Sequence, residues 1–276
     1  MMQKKEIGIS TRPNIRKRFK RYVFDRYFRW EVDSLLAQPQ NVVNEKFERD
    51  EYQMWLSFAI PGMLDWRNLR LFDHCIRNLP SKAPIVEIGS FAGLSLNNLT
   101  YLLRKQALRN PVFSVDEWIL HEGGADPGKR ISKSRVTNAE FREHIKETFR
   151  RNVMLFSGDP MPHHIPLSSD AFFAQWAAGA TAIDFFGQSV NLGGPISFAY
   201  IDGDHRYEQS FRDFINVDRW LEPGGFIVFD DSADSARSPT GQVWGCNRTA
   251  REASALPRYR VVDKSYHYCI QKTAQM

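Results

Sequence analysis

The chain has 276 residues, 42% hydrophobic and 25% charged, with a formal net charge of +5, which describes one large packed α/β domain carrying an extension. No run of about eighteen apolar residues occurs, so no membrane span is expected. Cys75, Cys246 and Cys269 are odd in number, widely spaced and lack a Cys-x-x-Cys pair, which argues against a disulfide framework or a zinc site.

Much of the positive excess lies within residues 1–22, in Lys4, Lys5, Arg12, Arg16, Lys17, Arg18, Lys20 and Arg21. No apolar segment follows them, so no secretory signal is expected and the cytoplasm is the expected location. No helix-turn-helix, finger or RNA-binding signature follows either, so nucleic acid is not an expected partner. Residues 1–80 read as a helical N-terminal extension. Tyr22-Val23-Phe24, Tyr27-Phe28, Trp30 and Val32 recur at helical spacing, Gln38 to Glu45 is a polar loop, and a second helical pattern runs from Met54 to Leu79, broken at Pro61-Gly62. Its expected role is a lid over a pocket or a dimer face, which leaves a homo-oligomer open.

From Pro84 onward short apolar runs alternate with helices. Strands are predicted at Ile85–Ile88, Val112–Val115, Val153–Phe156, Ile196–Ile201 and Phe226–Phe229, and a closing hairpin pairs Tyr259–Val262 with His267–Gln271. Helices are predicted over Leu94–Leu108, up to Arg151, and over Tyr207–Leu221 before Pro223-Gly224-Gly225. This order predicts a Rossmann-like, doubly wound, mostly parallel sheet over residues 81–276, with an antiparallel C-terminal edge strand. Two stretches, near 117–140 and 171–195, read as insertions; the first contains His121 and Gly123-Gly124, the second Trp176 and Phe185-Phe186.

The chemistry gathers at predicted strand ends. Asp202-Gly203-Asp204-His205 follows Ile196–Ile201, and Asp230-Asp231 follows Phe226–Phe229. Open α/β sheets bind ligands at that edge. Asp-Gly-Asp is also ordinary turn chemistry. If the two strands are neighbours, Asp202, Asp230 and Asp231 form an all-oxygen set suited to Mg²⁺, Ca²⁺ or Mn²⁺, with His205 a candidate base beside a metal-bound oxygen. Upstream, Gly89-Ser90-Phe91-Ala92-Gly93 makes a Gly-rich strand-to-helix turn. Its spacing fits neither the dinucleotide fingerprint nor a phosphate loop, so an adenosine-type ligand without phosphate suits it better. Asp116, ending the second strand, is placed to hold ribose hydroxyls, and Asp159, ending the third, to face an adenine amine.

In order, Val86-Glu87-Ile88-Gly89-Ser90-x-x-Gly93, Tyr200-Ile201-Asp202-Gly203-Asp204-His205-x-Tyr207, Leu221-x-Pro223-Gly224-Gly225 and Asp230-Asp231 resemble a class I S-adenosylmethionine-dependent methyltransferase. Within that class they resemble the branch containing metal-dependent macrolide-sugar O-methyltransferases. The resemblance covers roughly residues 80–272. It implies S-adenosylmethionine at Glu87, Gly89, Ser90, Gly93, Asp116 and Asp202, Mg²⁺ on Asp202, Asp230 and Asp231, His205 as base, and a small-molecule hydroxyl acceptor such as a sugar or natural product. A metal-dependent hydroxylase or hydrolase on the same core, or a scaffold without activity, are the competing readings.

Overall fold

The computed structural model describes residues 47–119, 125–235 and 241–273. The basic N-terminal run, the helix expected around Tyr22–Val32, the Gln38–Glu45 loop, and His121 with Gly123-Gly124 lie outside the described residues. No helix among the described residues is long and apolar enough to cross a membrane.

The chain enters through two helices, α1 (Glu51–Ala59) and α2 (Trp66–Arg77). Asp50 caps α1 in a reciprocal capping box with Gln53. The same carboxylate receives Lys105 Nζ at 2.8 Å and the Tyr101 hydroxyl, tying the start of α1 to the next helix, α3 (Leu94–Lys105). Strands β1 (Ile85–Ile88), β2 (Val112–Val115), β3 (His163–Ile165), β6 (Ile196–Ile201) and β7 (Leu221–Phe229) run parallel, and β8 (Tyr259–Asp263) and β9 (Tyr268–Lys272) complete a seven-stranded sheet. The order is β3-β2-β1-β6-β7-β9-β8. The antiparallel strand, β9, lies between β7 and the edge strand β8, because the hairpin folds back onto β7 through its second strand.

Every residue of β1, β2 and β6 is buried, which explains why these strands read as apolar runs without alternation. Successive side chains feed opposite faces of the sheet. Ile85, Val112, Phe198, Tyr200, Phe226 and Val228 pack with α2, α3 and α4 (Asn138–Phe156) through Phe72, Leu99 and Phe149. Val86, Phe113, Val115, Ala199, Ile227 and Phe229 pack on the other face with α5 (Ser169–Ala177), α6 (Tyr207–Asp218) and α7 (Gly245–Ser254) through Phe172, Phe214 and Ala250. The result is the expected three-layer, doubly wound architecture.

Two sequence expectations fail locally. Val153–Phe156 is not a strand but the last turn of α4. Ile145, Phe149 and Val153 are buried at helical spacing, whereas Met154 and Leu155 are 62% and 74% exposed. The third strand is instead the short His163–Ile165, paired with Phe113–Val115. The stretch near 171–195 is also more regular than expected: it holds most of the crossover helix α5 and a small hairpin of β4 (Thr181–Ile183) and β5 (Ser189–Asn191).

The hairpin tip sits against β3. Phe185 donates its backbone N–H to His164 O at 2.8 Å, and His164 packs on Trp118 and Phe149 with ring centroids 4.5 and 4.6 Å away. His164 is wholly buried and shares a 2.9 Å hydrogen bond with Ser114 Oγ. Burial disfavours the imidazolium and pushes the pKa down from 6.5 to about 3. Between those values the unfolded chain binds a proton that the fold refuses. His164 is therefore fully compatible with folding above pH 6.5, and stability is lost as pH falls, on the order of a few kcal/mol by pH 3. Thermal unfolding of His164→Leu across this range should show a shallower acid limb than the wild-type chain. An unchanged slope would assign the acid sensitivity to other groups.

Candidate active site

The carboxyl edge of the parallel strands carries two adjoining groups of residues. The first surrounds the turn after β1. Gly89 has φ +86°, and a Cβ there would lie 2.1 Å from the carbonyl oxygen of Asp202, so only glycine lets β1 and β6 close at this edge. Gly93, φ +88°, begins α3 against Phe149 and Val153. Asp116 fixes the turn: its carboxylate accepts the backbone N–H groups of Ser90 at 2.9 Å, Phe91 at 3.0 Å and Trp118 at 2.6 Å. Trp118 Nε1 in turn donates to Phe91 O at 2.8 Å. These bonds hold Phe91 and Trp118 in the left-handed region, at φ 41° and 56°. Burial raises the Asp116 pKa, against the pull of the three N–H groups. Asp116 thus has a structural task in addition to any contact with a ribose.

Beside the turn lie polar atoms without partners. Glu87 is fully buried; the Ser95 and Ser90 hydroxyls stand near its carboxyl and pull its pKa down, but neither closes a well-formed hydrogen bond to it. Burial raises the Glu87 pKa from 4.5 to about 8. Unpaired buried polar groups are costly. A ligand bringing hydrogen-bond donors to this turn would supply partners for these atoms.

The second group is acidic. β6 and β7 are parallel neighbours, with Ile201 beside Phe229, so Asp202 and Asp230-Asp231 emerge side by side. Ligand atoms of Asp202, His205 and Asp230 all lie within 4.8 Å of one another. His205 Nε2 is 3.3 Å from Asp202 Oδ1, and its Nδ1 is 3.7 Å from Asp231 Oδ2. Trp244 meets the imidazole edge-on at 5.0 Å. Asp231 has φ 45°, a strained conformation that turns its backbone N–H toward His267 Nδ1 at 3.1 Å. Burial and the charge of Asp230 raise the pKa values of Asp202 and Asp231. Burial alone would depress His205, but its bond to Asp202 and the charges of Asp202, Asp230 and Asp231 raise it to about 9. Three carboxylates thus compete for one or two imidazolium partners, and a divalent cation fits this donor set. Asp204 turns away and accepts the backbone N–H of Arg206 at 2.9 Å.

Other residues complete the acidic group from distant parts of the chain. Asn68 Nδ2 on α2 donates to Asp230 Oδ1 at 2.5 Å and to the Tyr200 hydroxyl at 3.2 Å, and Tyr200 donates to Asp202 Oδ2 at 3.2 Å. His267 Nδ1 lies 3.4 Å from Asp230 Oδ1, and its Nε2 lies 3.8 Å from Asp65. Burial would raise Asp65, but His267 and Arg67 hold it down at about 2. Sequence reasoning missed Asn68, Asp65 and His267. One signal was available for His267: in a hairpin pairing antiparallel to β7, the start of the last strand falls at the carboxyl edge. The register of Phe229 with Tyr268 puts it there.

Asp159 is the one site residue expected at this edge that lies elsewhere. It precedes β3, beside the amino ends of β2 and β3, where Pro160, Met161 and His163 share a cavity of about 140 Å³ with Asn110, Pro111 and Val112. Its carbonyl accepts Arg109 Nη1 at 3.4 Å. A role at the adenine fails because the apolar run before Gly158 is helix, so Asp159 opens the third strand instead of closing it.

Comparison with known proteins agrees with the geometry. The methyltransferase-domain family matches residues 86–232, just over half of the chain, and the chain belongs to that family. It is a class I S-adenosylmethionine-dependent methyltransferase. Three solved structures share the fold. An O-methyltransferase from Bacillus cereus in complex with SAH superposes with a TM-score of 0.51 at 15% identity, over 84% of this chain and 95% of that one. TomG from Streptomyces achromogenes, an O-methyltransferase involved in tomaymycin synthesis, in complex with SAM, gives 0.50 at 15% identity, over 88% and 96%. The O-methyltransferase NovP gives 0.51 at 18%, over 77% and 82%. An uncharacterised protein of Acanthamoeba polyphaga mimivirus is 43% identical over 44 residues, 16% of this chain and only 20% of that protein.

The buried Glu87 makes a pH prediction. Between pH 4.5 and about 8 the unfolded chain ionises this carboxyl while the cofactor-free fold keeps it protonated, so stability falls as pH rises through that window. Glu87→Gln should remove this decline, leaving the cofactor-free variant more stable than the wild-type chain at pH 8 by on the order of a few kcal/mol. Thermal unfolding at pH 5 and pH 8.5 measures it. Parallel behaviour of the two proteins would mean that Glu87 is already paired.

Proposed function

We propose that this methyltransferase moves the methyl group of S-adenosylmethionine to a hydroxyl oxygen of a small molecule, with Mg²⁺ or a similar divalent cation bound at Asp202, Asp230 and Asp231. The observation that carries the proposal is the grouping of Asp202, His205 and Asp230 at the edge where β1, through Gly89, adjoins β6. The likeness to O-methyltransferase structures supports an oxygen acceptor through the shared fold.

The reaction is an in-line displacement at carbon. The acceptor oxygen forms a bond to the methyl carbon as the carbon–sulfur bond breaks, and the electron pair stays on sulfur to give the thioether product. The acceptor hydroxyl must lose its proton. In this reading His205, 22% exposed at its side chain, takes that proton in its neutral form, which a cation neutralising Asp202, Asp230 and Asp231 would favour by removing the charges that raise its pKa. Asp202 and Asp231 orient the ring from two sides. The Gly89–Gly93 turn, Glu87, Ser90 and Asp116 hold the adenosyl amino acid, so that sulfonium and acceptor meet in alignment. A cation on the carboxylates supplies an anchor for the acceptor oxygens and lowers the hydroxyl pKa. Acceptors with two vicinal oxygens, such as sugar diols or catechols, suit that arrangement. In this reading α2, through Asn68, borders the acceptor side; the lid or dimer face expected of residues 1–80 falls mostly outside the described residues.

The test is S-adenosylhomocysteine formation across a panel of sugar, phenol and catechol acceptors. Chelator should abolish turnover, and Mg²⁺ should restore it. His205→Ala should lower turnover on the order of 10²–10⁴-fold while cofactor affinity stays intact. Turnover that persists in excess chelator would remove the cation from the reaction, and a His205→Ala enzyme of normal rate would remove the base.

A further inference from the structure

We infer that Asn68, on α2, is a positioning residue for the cation site: it sets the orientation of Asp230 directly and of Asp202 through Tyr200. This rests on the cation reading above and adds to it a residue outside the strand-end motifs, from a helix preceding the matched family region.

The Asn68 amide faces Asp230 with its nitrogen, which donates to a carboxyl oxygen. Both Nδ2 protons are used, one to Asp230 Oδ1 at 2.5 Å and one to the Tyr200 hydroxyl at 3.2 Å. Tyr200 then has its own proton free for Asp202 Oδ2, also at 3.2 Å. One amide thus engages one oxygen from each of two facing carboxylates and leaves Asp230 Oδ2 and Asp202 Oδ1 outside this network. Asn68 is completely buried, and its Oδ1 has no hydrogen-bond partner. A buried amide that leaves its acceptor unsatisfied is costly, so an apolar side chain of the same shape would serve packing alone better. The donors account for its presence.

The helix bearing Asn68 is anchored where precision is needed. Arg70 pairs with Asp263 at the end of β8. Arg67 pairs with the capping Asp65 and lies over the Tyr266 ring, 3.2 Å from its centroid. Cys75 touches Cys269 on β9, sulfur to sulfur at 3.7 Å. These contacts fix α2 against the β8–β9 connection from which His267 reaches Asp230. Residues that orient metal ligands in this way typically change metal affinity by 10–100-fold when removed.

The experiment is Mn²⁺ binding to the full chain, read by the loss of the free-ion electron paramagnetic resonance signal, with S-adenosylhomocysteine calorimetry as the control for folding. Asn68→Leu, matched in shape, should bind Mn²⁺ about 10–100-fold more weakly than wild type, with S-adenosylhomocysteine affinity within about 2-fold. Asn68→Ala serves as the second variant, without added bulk, and should show the same separation. Tyr200→Phe, which removes the link to Asp202 and one acceptor of the Asn68 amide but keeps the Asn68–Asp230 bond, should lose less. Equal Mn²⁺ affinity in wild type and both Asn68 variants, or a parallel loss of Mn²⁺ and S-adenosylhomocysteine binding in both, would overturn the positioning role. A wild-type chain that binds no Mn²⁺ would overturn the cation reading itself, and this inference with it.

Discussion

The constraint on which the site depends is the crowding of Asp202, Asp230 and Asp231 at one sheet edge. Two neighbouring strands cannot end in three carboxylates unless something balances them. The protein supplies a partial balance: His205 against Asp202 and Asp231, and the neutral donors of Asn68 and Tyr200. Asn68 comes from α2, Tyr200 and His205 from the end of β6, so the acidic group ties α2 to the carboxyl ends of β6 and β7. The α2 contribution is anchored well away from the chemistry, through the pairs Arg70–Asp263 and Cys75–Cys269.

The adjoining cofactor turn follows a different rule. It is held by backbone donors converging on one buried carboxylate, Asp116, and it leaves Glu87 and Ser90 Oγ unpaired. One half of the site is thus short of cations and the other short of hydrogen-bond partners. In the proposed reading, an adenosyl sulfonium amino acid would answer the second shortage and a divalent ion the first. Gly89 joins the halves, because its missing Cβ lets the turn lie against the Asp202 carbonyl.

Much of this was legible in the sequence because parallel strands buried on both faces leave continuous apolar runs, and the residues closing them mark the ligand edge. Asp202, Asp230, Gly89 and Asp116 were readable on that ground. The adjacency of β6 and β7 was assumed from the sequence, and the sheet order bears it out. Val153–Phe156 misled because a short apolar run at the end of a helix looks like a strand; only the spacing back to Phe149 and Ile145 separates the two. That single misreading carried Asp159 to the wrong edge. Asn68 and Asp65 were illegible for another reason: at the start of α2, they reach Asp230, 162 positions on, and His267 only through tertiary packing, which no local pattern encodes.

The central claim is that the three carboxylates are short of a cation. Thermal unfolding of the cofactor-free protein at pH 7.5, with chelator and with millimolar Mg²⁺, tests it most directly, since an ion that binds only the folded chain stabilises it by mass action, by about 2.7 kcal/mol at a hundredfold excess over its Kd. The account predicts a higher unfolding temperature with Mg²⁺ in the wild-type protein and no such rise in Asp230→Asn. An unfolding temperature indifferent to Mg²⁺, or an equal rise in Asp230→Asn, would contradict it.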